Sequence, residues 1–179
     1  MTHNAVAQSR ETGMSELLDW VEKAAVENLK QHHQAADMIA KEATTTLTVL
    51  LAGMAGALAY AAKAVDTGAW GWLPVGAAAF SAYLLVLGLC LVLGCLRIGD
   101  IPAIYNEPKN LLHPDLSLDQ VRRYELENAQ ARINDAAARN HRVATTLNRV
   151  RLAAILSPLV FLAIGLAWGW GWGSAPVTG

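Results

Sequence analysis

Three long apolar segments constrain the fold of this chain more than any other feature. They occupy residues 43–64, 73–96 and 152–173, and the runs at 43–62 and 73–96 carry no charged side chain. Since an α-helix rises about 1.5 Å per residue, about 20 apolar residues span a hydrocarbon core roughly 30 Å thick. A buried helix of a soluble protein is the alternative, but such a helix normally keeps one polar face. We therefore predict an all-α integral membrane protein with three transmembrane helices.

The distribution of basic residues predicts the orientation of the chain in the membrane. Four Lys and Arg residues precede the first apolar segment and nine lie between 97 and 151, whereas Lys63 alone lies on the opposite side. Because Lys and Arg mark the cytoplasmic side, we expect a cytoplasmic N-terminus and an external C-terminus. Tryptophans at the external ends of the second and third segments are typical of an aromatic belt. They are Trp70, Trp72, Trp168, Trp170 and Trp172.

Composition and motif content argue against two functional classes. The formal net charge is −1 and 54% of the residues are hydrophobic, so the chain lacks the basic surplus typical of nonspecific nucleic-acid binding. It contains no HExxH, no GxSxG and no Gly-rich phosphate loop. The adjacent His32 and His33 point in different directions on a helix and do not form a two-ligand metal face. We expect no enzymatic activity, no catalytic, metal or cofactor site, and no nucleic-acid partner.

Two polar segments predict long helical stalks on the cytoplasmic side. An apolar stripe recurs every three or four residues in 15–42, which is typical of an amphipathic helix. No Pro or Gly separates Ile39 from Ala43, so this helix should continue into the first span. The second stalk covers 117–151 and begins at Ser117-Leu-Asp-Gln120, which fits a capping box.

The remaining segments connect or end these helices. Pro158 should kink the third span, because proline has no amide hydrogen to donate. Three prolines and two asparagines break regular structure between residues 97 and 116, which predicts an ordered elbow at the cytoplasmic surface. The other predicted segments are a flexible N-terminus at 1–14, an outer loop at 65–72 and an outer tail at 174–179.

The first span contains two groups of candidate functional residues. Four threonines lie at its inner end, where their hydroxyls either line a water-filled vestibule or bond back to helix carbonyls. Gly53 and Gly56 belong to small-xxx-small pairs that permit close helix approach in lipid. The threonines are Thr44, Thr45, Thr46 and Thr48. Thr44, Thr45 and Thr48 are candidates for a pore mouth, and the two glycines for helix packing.

The second stalk carries a regularly spaced set of polar residues. Asn134, His141 and Asn148 recur every seven residues and therefore share one helix face. Buried Asn at such positions commonly fixes register and oligomeric state, whereas a solvated face is the alternative reading. We interpret these residues as candidate packing positions in a homo-oligomer.

The same stalk holds a set of arginines that is a candidate anion or nucleotide contact. The alternative is a charge-balanced, solvated surface, because Glu125, Glu127 and Asp135 are interleaved with them. The arginines are Arg122, Arg123, Arg132, Arg139 and Arg142.

The order of these segments carries a family resemblance. The amphipathic helix ends in QAADMIAKEATTTLTVLLAG, the two-span hairpin leads to an elbow reading RIGDIPAIYNEP, and the last polar helix begins LSLDQVRRYELENAQ. This layout resembles the Pycsar-type transmembrane effectors, which are small membrane proteins of bacterial antiphage systems. The resemblance covers most of the chain between residues 15 and 173 and rests on segment order and helix pattern.

The resemblance implies a function in antiphage defence. It implies an oligomer in the bacterial inner membrane that opens or disrupts the membrane in response to a cyclic nucleotide or another signal raised by phage. The chain lacks a strand-rich cyclic-nucleotide-binding module, so recognition would use the stalks or a cognate defence protein. The leading alternative is a constitutive membrane scaffold or accessory subunit that anchors a soluble partner. A phage holin is a third option, although a holin does not need the long cytoplasmic insertion at 97–151.

Overall fold

The computed structural model describes residues 2–69, 71–97, 102–112 and 114–173, with side chains described between residues 12 and 167. Within these ranges the chain is helical or irregular and contains no strand, which confirms the predicted all-α class. The predictions for Trp70, for residues 98–101 of the elbow and for the tail at 174–179 fall outside the described residues. The same is true of the side chains of the belt residues Trp168, Trp170 and Trp172.

Helix α1 extends from Thr2 to Asp66. It passes Ile39 and Ala43 without a break, as the absence of Pro and Gly at this point predicts. The helix begins earlier than Ser15, where the apolar stripe places its start. Residues 2–14 contain no proline, so nothing in this segment prevents the backbone hydrogen bonds of a helix from forming.

The C-terminal end of α1 is a Schellman turn. Gly68 adopts φ of 67°, a left-handed conformation that glycine reaches without a steric penalty. The Ala69 amide donates to the Ala64 carbonyl at 2.9 Å and the Gly68 amide to the Val65 carbonyl at 3.1 Å. This turn reverses the chain within the predicted outer loop.

Helix α2 extends from Trp72 to Leu91 and continues as a π-helical turn from Val92 to Leu96. It packs against the apolar part of α1 in the antiparallel sense. Ser81 donates to the Met54 carbonyl at 3.2 Å, and Leu47 and Gly88 also lie in contact. The two helices form the hairpin that the short loop predicts.

The described part of the elbow contains one helical turn, α3, from Pro108 to Leu111. Asn106 precedes it and its side-chain oxygen accepts hydrogen bonds from the Glu107 amide at 3.0 Å and from Asn110 Nδ2 at 2.9 Å. Pro108 occupies the first helical position, where an amide hydrogen would have no partner within the helix. The described part of the elbow is therefore largely irregular, as its composition predicts.

Helix α4 extends from Leu118 to Ile155, and its start confirms the predicted capping box. The Ser117 amide donates to Gln120 Oε1 at 2.9 Å, and the Gln120 amide donates to Ser117 Oγ at 3.4 Å. These reciprocal bonds satisfy amides that have no partner within the helix.

Helix α5 extends from Ser157 to Gly173 and meets α4 at a bend of 46°. The bend confirms the predicted effect of Pro158. A proline ring clashes with the carbonyl four residues before it and disfavours a helical conformation for the preceding residue. The third apolar segment, predicted to begin at residue 152, therefore starts on the last turn of α4 and continues beyond the break.

The chain divides into two compact units. Unit 1 comprises Met1–Met38 and Gly99–Arg142, and unit 2 comprises Ile39–Ile98 and Val143–Gly179. The core of unit 2 is formed by buried side chains from α1, α2 and α4, which are Ala43, Leu50, Leu84, Leu87, Leu91, Leu147 and Val150.

Two described helices are long and apolar enough to cross a membrane. They are Thr12–Asp66 and Trp72–Leu96, and the bent pair of α4 and α5 is a third if it counts as one span. The chain therefore has two or three apolar helices that suggest a membrane protein. Within the parts of α1 and α2 that pass this test, only 11% and 28% of the residues are buried in the single chain, as expected where lipid supplies the contacts.

Candidate functional site

Unit 1 contains an apolar pocket of about 380 Å³. Its volume lies in the range of ordinary ligand pockets. Leu29 is almost completely buried, with 1% of its surface exposed, and lies in the wall contributed by α1. The pocket is lined by ten apolar residues, which are Ala25, Val26 and Leu29 of α1, Ile104, Tyr105 and Leu111 of the elbow, and Leu118, Val121, Leu126 and Ala129 of α4.

Large apolar side chains remain exposed among the residues that line this pocket or follow them in the sequence. Leu118 is 73% exposed and Tyr105 is 66% exposed, and Leu112, next to the lining residue Leu111, is 81% exposed. Isolated exposed apolar residues are common, but several around one concavity indicate an interaction surface. We call the pocket and these three side chains the unit 1 docking surface.

Arg122 lies at one edge of the pocket in a network of two carboxylates. Its Nε and Nη2 atoms donate to Glu22 at 2.6 Å and 3.0 Å, which is a bidentate pair, and Nη2 also contacts Asp19. The hydrogen bonds to Glu22 and then to Asp19 raise the pKa of Arg122 above its ordinary value. The guanidinium therefore stays charged, and it fixes α4 to α1 within unit 1.

Arg132 lies at another edge and contacts one carboxylate. Its Nη2 atom donates to Glu125 Oε1 at 2.5 Å, while Glu125 Oε2 accepts from Asn106 Nδ2 at 3.1 Å. The Arg132 Nε atom is buried and has no hydrogen-bond partner among the described residues. The elbow and α4 are thus connected through one shared carboxylate.

These contacts separate the predicted arginine set into two groups. Arg122 and Arg132 line the pocket, whereas Arg123, Arg139 and Arg142 are not among its described lining residues. Both lining arginines are paired with carboxylates. An incoming phosphate would have to displace an acidic side chain, so a nucleotide contact at these arginines stays a prediction that the pairing does not favour.

The inner threonines of the first span bond to their own helix. Thr44, Thr45 and Thr48 donate to the carbonyls four residues before them at 2.9 Å, 3.1 Å and 3.0 Å. This is the second of the two arrangements expected from the sequence. The role of these residues at a pore mouth stays a prediction for the assembled protein.

Thr46 takes part in a different contact. Its hydroxyl donates to the Glu42 carbonyl at 2.8 Å and accepts from Arg151 Nε at 3.0 Å. Arg151 also contacts the Glu42 carboxylate. These bonds join α1 to α4 within unit 2, next to the end of the first apolar segment.

The two glycines proposed for packing have different surroundings. A Cβ atom at Gly53 would lie 3.1 Å from Leu84 Cδ1, whereas no described side chain lies within 4 Å of the same position at Gly56. Gly53 therefore permits close packing within the hairpin. Gly56 is open in the single chain.

The polar set on the second stalk lies at exposed positions of α4. Asn134, His141 and Asn148 are exposed, and Asn134 accepts a hydrogen bond from Gln130 on the same helix at 2.9 Å. Near the end of unit 1 it is instead Asn140 of α4 that contacts α1, because its Nδ2 donates to the His32 carbonyl at 2.7 Å. These three positions, Asn134, His141 and Asn148, are exposed in the single chain, and their part in an oligomer stays a prediction.

Unit 2 contains a contact at the bend that sequence reasoning missed. Tyr83 donates to the carbonyl of Ala153 at 3.0 Å, and Ala153 belongs to the last turn of α4, whose carbonyls lack helical partners. On the other side of the bend, Phe161 of α5 lies against Gly76 and packs edge-on against Phe80. A tyrosine within an apolar run was the available signal, because its hydroxyl needs a partner in lipid.

No family model, curated protein or solved structure matches this chain. Among the described residues, no group of three or more His, Cys, Asp or Glu side chains is placed to hold a metal ion.

Proposed function

We propose that this chain is a membrane effector of bacterial antiphage defence, which oligomerises and permeabilises the inner membrane in response to a signal. The observation that carries the proposal is the 46° bend between α4 and α5. A break in an apolar helix frees backbone carbonyls, and such breaks are tolerated in lipid where a neighbouring helix satisfies them. Tyr83 supplies one such bond, so the bend depends on contacts that a signal can change.

The bend is the proposed moving part in permeabilisation. Tyr83 and Phe80 of α2 contact opposite sides of the break. If these contacts are exchanged for contacts to a neighbouring subunit, α5 changes direction and the membrane-embedded surface changes with it. Permeabilisation would follow from assembly and not from covalent chemistry.

The proposed assembly is a homo-oligomer with its N-terminus in the cytoplasm and its C-terminus outside. Gly56 and the exposed set of Asn134, His141 and Asn148 are the proposed contacts between subunits. The trigger would be a cyclic nucleotide or a cognate defence protein, as the resemblance to Pycsar-type effectors implies. Membrane lipid is the other proposed partner.

Phage plating on the native host tests this function. Deleting the gene should raise the number of plaques, and restoring the wild-type chain should lower it again. A Pro158→Ala chain that reaches the membrane in equal amount should fail to restore protection. Equal plaque numbers with and without the gene, over a panel of phages, would contradict the defence function.

The unit 1 docking surface favours a second candidate function. A constitutive scaffold that anchors a soluble partner needs an exposed apolar surface outside the membrane segments. Leu118 and Tyr105 provide such a surface at the pocket, and Leu112, which follows the lining residue Leu111, is also exposed. Recovery of the same soluble protein with the chain, in uninfected and infected cells alike, would support the scaffold.

A further inference from the structure

We propose that the unit 1 docking surface binds a basic amphipathic segment of a partner protein, with apolar side chains of that segment inserted into the pocket. The inference rests on the scaffold or the partner-triggered form of the proposed function, since both need a protein to bind unit 1. It does not depend on whether the membrane is permeabilised.

The exposed apolar side chains of the docking surface favour a protein over a small molecule. A pocket of about 380 Å³ holds a few apolar side chains. A small ligand of that size would leave much of Leu118 and Tyr105, which are 73% and 66% exposed, in contact with water. A polypeptide segment fills the pocket and covers these side chains as well, which is the usual arrangement of anchor residues and surrounding contacts.

The charges around the pocket favour a basic occupant. Three carboxylates, Asp19, Glu22 and Glu125, contact two guanidinium groups, Arg122 and Arg132. One negative charge therefore remains in surplus among these groups, and it belongs to the pair of carboxylates beside Arg122. Asp19 is 58% exposed, so its carboxylate retains acceptor positions for a Lys or Arg of the partner.

Unit 1 as a whole also carries a surplus of negative charge. The sequence of this unit contains nine Lys and Arg residues against thirteen Asp and Glu residues. A basic segment is therefore attracted at long range, and an acidic one is repelled. An acidic segment would also have to displace Glu22 or Glu125 before it reached either arginine.

Peptide binding to the full-length protein in nanodiscs of zwitterionic lipid tests the inference. Three labelled peptides of equal length are compared by fluorescence anisotropy, with empty nanodiscs as the background: an amphipathic Leu/Lys helix, its Leu/Glu counterpart and a Ser/Lys peptide without apolar residues. We expect the Leu/Lys peptide to bind at least about tenfold more tightly than either of the others. Equal binding of the Leu/Lys and Leu/Glu peptides, or of the Leu/Lys and Ser/Lys peptides, would overturn the proposal.

Two variants of the docking surface, each with a matched control at an exposed position elsewhere in unit 1, locate the binding site. Replacing Tyr105 and Leu118 together by Ser should weaken the Leu/Lys peptide about tenfold, whereas Met38→Ser, at an exposed position of unit 1 outside the pocket, should not. Asp19→Asn should weaken it about threefold and reduce its salt dependence, whereas Glu27→Gln removes the same charge away from the pocket and should not.

The outcomes separate the inference from the proposed function. If the Tyr105/Leu118 variant binds the peptide as tightly as the wild type, the docking surface is assigned wrongly, whatever the chain does in cells. If the peptide binds as expected but no protein partner is recovered from cells, the preference of the docking surface for a basic amphipathic segment is supported. The scaffold and the partner-triggered effector are then contradicted.

Discussion

The Tyr83 hydroxyl donates a hydrogen bond to the Ala153 carbonyl at 3.0 Å. This contact joins the middle of α2 to the last turn of α4, directly before the bend. The Leu156 amide donates to the Leu152 carbonyl at 3.0 Å, and the Leu159 amide donates to the Leu156 carbonyl at 3.0 Å. Pro158 has no amide to offer the Ala154 carbonyl. The hydrogen-bond pattern of the helix is therefore interrupted at a defined point, and Tyr83 compensates part of the loss.

Removing the Tyr83 hydroxyl should destabilise unit 2. Tyr83→Phe leaves the Ala153 carbonyl without its donor, at a cost of about 1 kcal/mol. Thermal unfolding in detergent should show a lower midpoint than the wild type. Tyr60→Phe makes the same chemical change at an exposed position and should leave the midpoint unchanged. Equal midpoints for the Tyr83 variant and the wild type would show that the hydrogen bond does not stabilise the fold.

Replacing Pro158 should straighten the bend. With Pro158→Ala, an amide becomes available to the Ala154 carbonyl and the helix can continue across Leu156. Spin labels at Asn148 and Leu166, in a chain with both native cysteines replaced by Ala, should move apart by about 2 Å, as the helical rise of 1.5 Å per residue requires. Ser157→Ala retains the proline and should preserve the distance. An unchanged distance in the Pro158 variant would mean that packing, not proline, sets the bend.

The two glycines of the first span should respond differently to a large side chain. Gly53→Leu must displace Leu84 and should lower the stability of the chain itself by about 1–3 kcal/mol. Gly56→Leu meets no described side chain, so it should preserve the unfolding midpoint and reduce the oligomer mass in detergent. If Gly56→Leu leaves the mass unchanged, this position does not lie between subunits.

Arg122 should be more important for unit 1 than its neighbour. Arg122→Gln leaves Glu22 and Asp19 without their shared cation, and like charges then lie close together. Protease digestion within residues 102–142 should become faster than in the wild type. Arg123→Gln removes the same charge from an exposed side chain and should digest at the wild-type rate. Equal digestion rates for the two variants would show that Arg122 does not stabilise unit 1.

Much of the fold could be predicted because its signals are local. Uncharged apolar runs predict the long helices, Ser117 and Gln120 predict a helix start, and Pro158 predicts a break. Each of these depends on residues that are neighbours along the chain. The start of α1 was not predicted, because an apolar stripe marks where a helix packs and not where its hydrogen bonds begin.

The site was harder to predict because it depends on contacts between distant segments. Seven-residue spacing places Asn134 and His141 on one face, but spacing alone does not tell which face meets α1, and Asn140 makes that contact. In the same way, the arginines of α4 are visible in the sequence, whereas the carboxylates that pair with Arg122 lie on α1. The pocket itself is formed by α1, the elbow and α4 together.

Membrane potential in living cells tests the central claim most directly. A potential-sensitive dye is followed in the native host with the wild-type gene, with the gene deleted, and with Pro158→Ala, before and after phage infection. The account predicts depolarisation only after infection and only with the wild-type gene, before the phage lyses the cells. An intact potential after infection in wild-type cells that are nevertheless protected would contradict permeabilisation and favour the scaffold.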